Sequence, residues 1–208
     1  MAKQVLTSDN FWKGYDDISK WRGAMQHDFS HPSRQIAYDL VRDLFKHRPP
    51  EDNTTLDFAE IGFGQAYDFA HCFKELHDQK WINYTGFDHT PEFVEYAKTD
   101  FPEYKFIQGD FVDVPRDAFD VTYTRHTLQH AAPENYQDWI RAMLNATRKT
   151  AIIVWRFPPS NEHIVWNDGW NNRWDKDVVH AVIRGRGFSI QEIPVNEEDV
   201  IYKMVKCV

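Results

Sequence analysis

The chain has 208 residues, enough for one domain with a sizeable core and too few for two full ones. Its 24 basic and 32 acidic side chains leave a net charge of −8, so it lacks the general attraction for phosphate backbones that nucleic-acid binding rests on. Hydrophobic content of 42% excludes a disordered chain, and the two distant cysteines, Cys72 and Cys207, exclude a disulfide framework or a paired-cysteine metal or redox motif.

Met1 to Gly14 carries no long apolar run, so neither a signal peptide nor a membrane helix is expected, and a cytoplasmic location is the default. Phe11, Trp12, Tyr15, Ile18 and Trp21 recur at spacings near three and four, which suits a short amphipathic helix. Ser33 is the expected N-cap of a second helix from Arg34 to His47, stopped by Pro49-Pro50. From Leu56 the chain alternates. Strands are expected at Leu56 to Ile61, Trp81 to Asp88, Lys105 to Gln108, Phe119 to Thr124 and Thr150 to Phe157. Helices are expected between them at Tyr67 to Gln79, Pro91 to Thr99 and Pro133 to Thr147. Pro158 to Trp174 reads as a tryptophan-rich connection. A helix from Lys176 to Arg186 and two strands, Phe188 to Pro194 and Val200 to Val205, paired antiparallel, close the chain. Such alternation predicts an α/β fold, a doubly wound and mostly parallel sheet with helices on both faces.

The stretch Leu56-Asp57-Phe58-Ala59-Glu60-Ile61-Gly62-Phe63-Gly64-Gln65-Ala66 organises this pattern. An apolar run reaches an acid, then two glycines one residue apart, then a helix. Gly62 and Gly64 permit positive φ and bare the backbone to a ligand, and the crevice beyond parallel strand ends is where open α/β sheets bind one. A dinucleotide fingerprint would need a third glycine at position 67, where Tyr67 stands. Read instead as Glu60-x-Gly62-x-Gly64-x-Ala66, the stretch resembles motif I of the class I S-adenosylmethionine-dependent methyltransferases, with Ala66 departing from the family's last glycine. The resemblance covers Leu56 to Phe157 and, more loosely, the C-terminal strand pair. It implies a Rossmann-like sheet of seven strands with an antiparallel last strand. Within a single domain spanning 1–208, it implies a helical lead-in or lid (1–50), a cofactor-binding core (56–157), a tryptophan-rich insertion (158–175) and a C-terminal helix with a strand pair (176–208).

The same resemblance assigns residues. Glu60, Gly62, Phe63 and Gly64 would bind S-adenosylmethionine at its methionine end. Asp88, closing the second strand, would accept hydrogen bonds from the ribose hydroxyls, with His89 beside it. Asp110 and Phe111 would meet the adenine, the first through its amino group and the second by stacking. Arg125 and His126 stand where the family's fourth strand faces the reacting methyl. His130 lies four residues after His126, on one face if the segment is helical. Either histidine is a candidate general base, since imidazole titrates near pH ~6.5. Two histidines without a third ligand at matching spacing make no metal site. Tyr15, Trp21, Arg156 and Trp170 are candidate substrate contacts; Trp166 and Trp174 could extend an aromatic lid, and Arg34 or Arg22 could hold a carboxylate.

These features predict methyl transfer to the O, N or C of a small molecule, with no nucleic-acid or membrane partner. Oligomeric state stays open. The alternatives are a non-methylating enzyme using the same cofactor, a nicotinamide oxidoreductase, which Tyr67 disfavours, and a catalytically silent binding module.

Overall fold

The computed structural model describes residues 31–46, 53–156, 158–161, 164–166 and 171–207. The aromatic helix expected over Phe11 to Trp21 lies outside the described residues, and so do Tyr15, Trp21, Arg22, Phe157 and Trp170.

Among the described residues nine strands follow in chain order: β1 (Leu56–Ile61), β2 (Ile82–Asp88), β3 (Lys105–Gln108), β4 (Phe119–Arg125), β5 (Thr147–Trp155), β6 (Ile164–Trp166), β7 (Asn171–Arg173), β8 (Phe188–Pro194) and β9 (Val200–Lys206). Seven of them form one sheet in the order β3-β2-β1-β4-β5-β9-β8, while β6 and β7 pair as a separate antiparallel ribbon. β1 to β5 are parallel, and β9 runs antiparallel between β5 and β8. The expected α/β sheet with its antiparallel last strand is therefore the observed one. Central β1, β4 and β5 are buried on both faces, and β5 shows this in sequence as an unbroken apolar run from Ala151 to Trp155. The edge strand β8 is mostly exposed or half-buried.

Five α-helices among the described residues pack on the sheet: α1 (Pro32–Asp43), α2 (Lys74–Asp78), α3 (Pro91–Asp100), α4 (Tyr136–Ala146) and α5 (Lys176–Gly185). Side chains alternate along each strand, so β1 sends Phe58 to one core and Ala59 and Ile61 to the other. The Phe58 core is strongly aromatic. It joins Phe69, Phe73, Tyr84, Phe106 and Tyr123 with Ala37 and Val41 of α1. The second core sets Ile153 and Trp155 against Ile140 and Met143 of α4 and Val179 and Ile183 of α5.

Several boundaries depart from the sequence reading. α1 begins one residue after His31, not after Ser33: Pro32 takes the first helical position, and the His31 ring accepts from the Ser33 N–H. The helix expected from Tyr67 does begin there, but it winds as a π turn over Phe69–Phe73 before the short α2. Its wider winding buries Phe69, Cys72 and Phe73 together. β5 starts at Thr147, where the Thr147 and Thr122 hydroxyls meet at 2.6 Å in the core. The tryptophan-rich connection holds the β6–β7 ribbon, whose three-residue strands are too short to show a period.

The strand order reverses between β1 and β4, and the loops leaving these two strands touch. Gly62 stands at φ +73°, and a Cβ placed on it would lie 2.4 Å from Cγ2 and 2.5 Å from Oγ1 of Thr127. Gly62→Ala should therefore lower stability by about 1–3 kcal/mol, from the clash and the left-handed backbone together. Chemical denaturation checks this, and a variant as stable as the parent would show that the approach of the two loops is not enforced.

Candidate active site

The turn after β1 is built by backbone bonds to β2. The Gly62 N–H donates to the Phe87 carbonyl at 2.7 Å. The Gly64 N–H donates to one oxygen of Asp88 at 2.8 Å, and the Thr90 N–H donates to the other at 2.9 Å. Asp88 is buried, and burial pushes its carboxyl above the usual range although both N–H groups oppose this. Gly64, at φ +55°, differs from Gly62 in one respect: a Cβ there would meet nothing within 4 Å. The next residue, Gln65, is 6% exposed, and neither its amide oxygen nor its nitrogen has a hydrogen-bond partner. Ala66, fully buried, holds φ +56°, the conformation a glycine would adopt without strain.

The other expected ligand contacts fall into place unevenly. The Phe63 ring is buried and packs on Phe106 at 5.0 Å, so this residue offers the crevice its backbone and not its ring. His89 is partly exposed, with Nδ1 3.8 Å from Asp88. Asp110 sits in a turn closed by its own N–H on Asp113 and by the Asp113 N–H on its carbonyl. Phe111 opens the short 3₁₀ segment that follows.

Beneath the turn lies a buried charge cluster. The Asp68 carboxylate takes Arg34 Nε at 2.5 Å, Tyr123 Oη at 2.6 Å and Arg125 Nη1 at 3.6 Å. Burial alone would raise its carboxyl, but the two guanidiniums and the tyrosine outweigh that and hold it below the usual range. Glu60 is the converse: burial first and then the Asp68 charge keep it well above that range, although Tyr84 donates to it at 2.6 Å. The cluster therefore prefers one ionised carboxylate, at Asp68, to two. Arg34 and Arg125, expected near a ligand, belong to this cluster.

The two histidines do not share a helix face. His126 leaves β4 at φ +53°, and His130 ends a separate 3₁₀ turn, Leu128–His130. The left-handed residue breaks the helical spacing that the four-residue interval suggested. His126 Nε2 stands 3.0 Å from Asp199 Oδ2, and the side chain is 14% exposed. Burial, with a smaller push from Arg125, outweighs Asp199 and brings this imidazole down to about 4.

Of the substrate candidates, Arg156 faces Glu198 at 3.9 Å on the surface, a pairing worth little in water. Trp174 is no lid: it is 1% exposed, stacks on Tyr136 at 4.0 Å and donates its indole N–H to the Leu128 carbonyl. It thereby braces the loop that follows His126. Sequence reasoning missed Asp68, Gln65, Ser33, His31 and Asp199. Only Gln65 carried a signal, its place between Gly64 and Ala66.

Asp68→Ala would strand two buried guanidiniums. Stability should fall by about 3–5 kcal/mol, the low end if Glu60 ionises in its place. Urea unfolding measures this, and a loss under 1 kcal/mol would mean that water reaches the cluster.

Residues 58–150 match a family model described as a methyltransferase domain. A search of curated proteins finds no sequence match. Among solved structures, the magnesium protoporphyrin IX methyltransferase of Synechocystis, with bound S-adenosylmethionine, superposes with a TM-score of 0.73 at 14% identity, covering 99% of this chain and 100% of that one. The Burkholderia thailandensis 1,6-didemethyltoxoflavin-N1-methyltransferase, with its substrate and S-adenosylhomocysteine bound, gives 0.66 at 12%, over 100% and 94% of the two chains. A 4+2 cyclase named SpnF gives 0.69 at 15%, over 98% and 97%. At such identities the structures establish the fold, and the family match adds the class. Residues 58–150 thus match a methyltransferase domain, and the chain as a whole has the fold of these S-adenosylmethionine-binding methyltransferases.

Proposed function

We propose that this chain methylates a small molecule at the strand ends around Gly64, Asp88 and His126. The observation that carries the reading is the space over Gly64 together with the unbonded, buried amide of the next residue, Gln65. Leaving such a group unpaired costs about 1–3 kcal/mol, which a polar ligand that reached it would offset. S-adenosylmethionine fits these residues. Glu60 and the backbone of Gly62, Phe63 and Gly64 would lie along its methionine end, with Arg34 and Arg125 behind. Asp88, carrying the acceptor pair for two hydroxyls, would hold the ribose, and His89, Asp110 and Phe111 would border the adenosine. When bound, the cofactor supplies a methyl group already activated on a sulfonium. The chain itself is left to orient the acceptor, exclude water and take a proton.

His126 is the residue assigned to the proton. It follows β4 directly, and the loop bearing it is tied to the β1 turn through Thr127 and braced by Trp174. The substrate is read as small because two of the neighbours are named for small-molecule substrates. The cyclase neighbour favours one second reading, a non-methylating enzyme built on the same cofactor site. Following a methyl label from cofactor to product separates the two, and a label that stays on the cofactor through turnover selects the second.

Binding is tested by calorimetry with S-adenosylhomocysteine and with NAD. Only the first should bind. Asp88→Asn keeps one acceptor for the Gly64 or Thr90 N–H and so is a gentler probe than alanine. It should weaken S-adenosylhomocysteine by about 1.5–3 kcal/mol, roughly ten- to hundredfold. Unchanged affinity in the folded variant removes Asp88 from the site.

His126→Asn should slow methyl transfer about 10²–10⁴-fold with cofactor affinity nearly unchanged. A base must be unprotonated to act, so the parent's rate rises as pH climbs through the imidazole's pKa. Burial has moved that value down to about 4, well below the ~6.5 expected of a free imidazole. The acid limb should thus sit near pH 4 and the rate should be flat around neutrality. A step near pH ~6.5 would point to another group.

A further inference from the structure

His126 is one end of a hydrogen-bond chain whose polarity the structure determines. Asp199 precedes β9 in the turn after β8, where the Asn196 side chain accepts from the Glu198 and Asp199 N–H groups at 2.8 and 2.7 Å. Its side chain is 1% exposed, and its Oδ2 receives two imidazoles, His126 Nε2 at 3.0 Å and His31 Nε2 at 3.4 Å. Burial works to raise the Asp199 carboxyl, but His126 and the cations around it keep it below the usual range. An ionised carboxylate only accepts, so the hydrogen-bonded His126 Nε2 carries the proton. A neutral imidazole has one N–H, hence His126 Nδ1 is an acceptor. The other contacts agree. His31 Nδ1 accepts from the Ser33 N–H at 3.3 Å and lies 2.8 Å from the Ser33 hydroxyl. That hydroxyl in turn accepts from Arg125 Nε at 3.2 Å. The groups facing His126 are thus Asp199 from the β8–β9 turn, His31 from the start of α1, Arg125 from β4 and, farther off, Asp68.

We propose that Asp199 is the positioning residue of this reaction, with His31 as its second anchor: it fixes His126 in the Nε2–H tautomer and leaves Nδ1 to take the acceptor's proton. This rests on the methyl-transfer reading and narrows its substrate. The acceptor atom is one that must lose a proton as it gains the methyl, a phenolic, enolic or comparably acidic site. A neutral amine needs no such group at the moment of transfer. The acceptor's proton passes to Nδ1, and the imidazolium so formed is held by a bond to Asp199 that has become charge-assisted. Loss of that proton to water restores the neutral ring. His31 keeps the carboxylate from turning away when His126 changes charge, and it links the base to α1.

The test needs no substrate. Two-bond ¹H–¹⁵N NMR of the histidine rings in the full chain should show single Nε2–H tautomers for His126 and His31, with and without S-adenosylhomocysteine. An Nδ1–H or an averaged ring at His126 overturns the proposal whether or not any variant folds. Asp199→Asn should release the His126 tautomer, move the acid limb of kcat to lower pH and reduce kcat about 10²–10³-fold, as uncoupling a histidine from its carboxylate does elsewhere. Its S-adenosylhomocysteine Kd should stay within about twofold. His31→Gln should keep the tautomer and cost kcat about three- to tenfold. An Asp199→Asn protein with the parent's tautomer and pH profile overturns the assignment. Failure of the parent to bind S-adenosylhomocysteine would instead sink the functional reading, whereas normal binding with an averaged His126 ring sinks only this proposal. Transfer to neutral amines in preference to hydroxylated acceptors would overturn the substrate class.

Discussion

A carboxylate shut away from water must find its counter-charges in the protein, and in this molecule Asp68 finds them on two other elements. Arg34 reaches it from α1, Arg125 and Tyr123 from β4, while Asp68 itself lies at the start of the π turn that follows the glycine loop. The desolvation of such a group is recovered only when every partner is in place, so the cluster acts as a geometric condition on the fold more than as a source of net stability. It sets α1 against the strand ends and aligns the end of β4 with the loop after β1. It also leaves Glu60 next door with little reason to ionise. An incoming cationic group would change that balance, which makes the floor of the crevice responsive to the charge of what lies on it.

From this base the two sides of the crevice are assembled by different means. On the β1–β2 side, backbone donors converge on Asp88 and glycines clear the space. On the β4 side, positions are held by side chains from far along the sequence: Trp174 under the Leu128 carbonyl, Ser33 and His31 from α1, and Asp199 from the last turn. The first side is held together by contacts close in sequence, the second by contacts between distant segments.

That division also explains what could be read without coordinates. The sheet was legible because short strand segments alternate with helical ones and because β5 carries an unbroken apolar run from Ala151 to Trp155. Gly62, Gly64 and Asp88 were legible because their partners are near in sequence or fixed by the strand-turn-helix pattern. His126 could be singled out by its place after β4, but its partner Asp199 is 73 residues away, and no local pattern joins them. Asp68 and Tyr123 are 55 residues apart and look, in sequence, like an ordinary helix acid and an ordinary strand aromatic. The expected face shared by His126 and His130 failed because periodicity assumes right-handed backbone throughout, and His126 does not have it. Trp174 was misassigned for a related reason: a tryptophan near a site and one that props up the site's loop have the same letter.

The position of β9 bears on how the chain comes to be folded. Of the described strands it is the last to be synthesised, yet it lies inside the sheet, between β5 and β8, with Ile201, Tyr202 and Met204 buried. Until it docks, β5 has an open edge and β8 has no neighbour in the sheet, so the half of the crevice carrying His126 and Asp199 cannot be completed before β9 has been made. The β1–β4 half, whose pairings are all complete by Arg125, can collapse earlier around its aromatic core. Assembly of the ligand cradle before the proton-handling side is then a matter of the order in which contacts become available, with the most non-local pairing closing last.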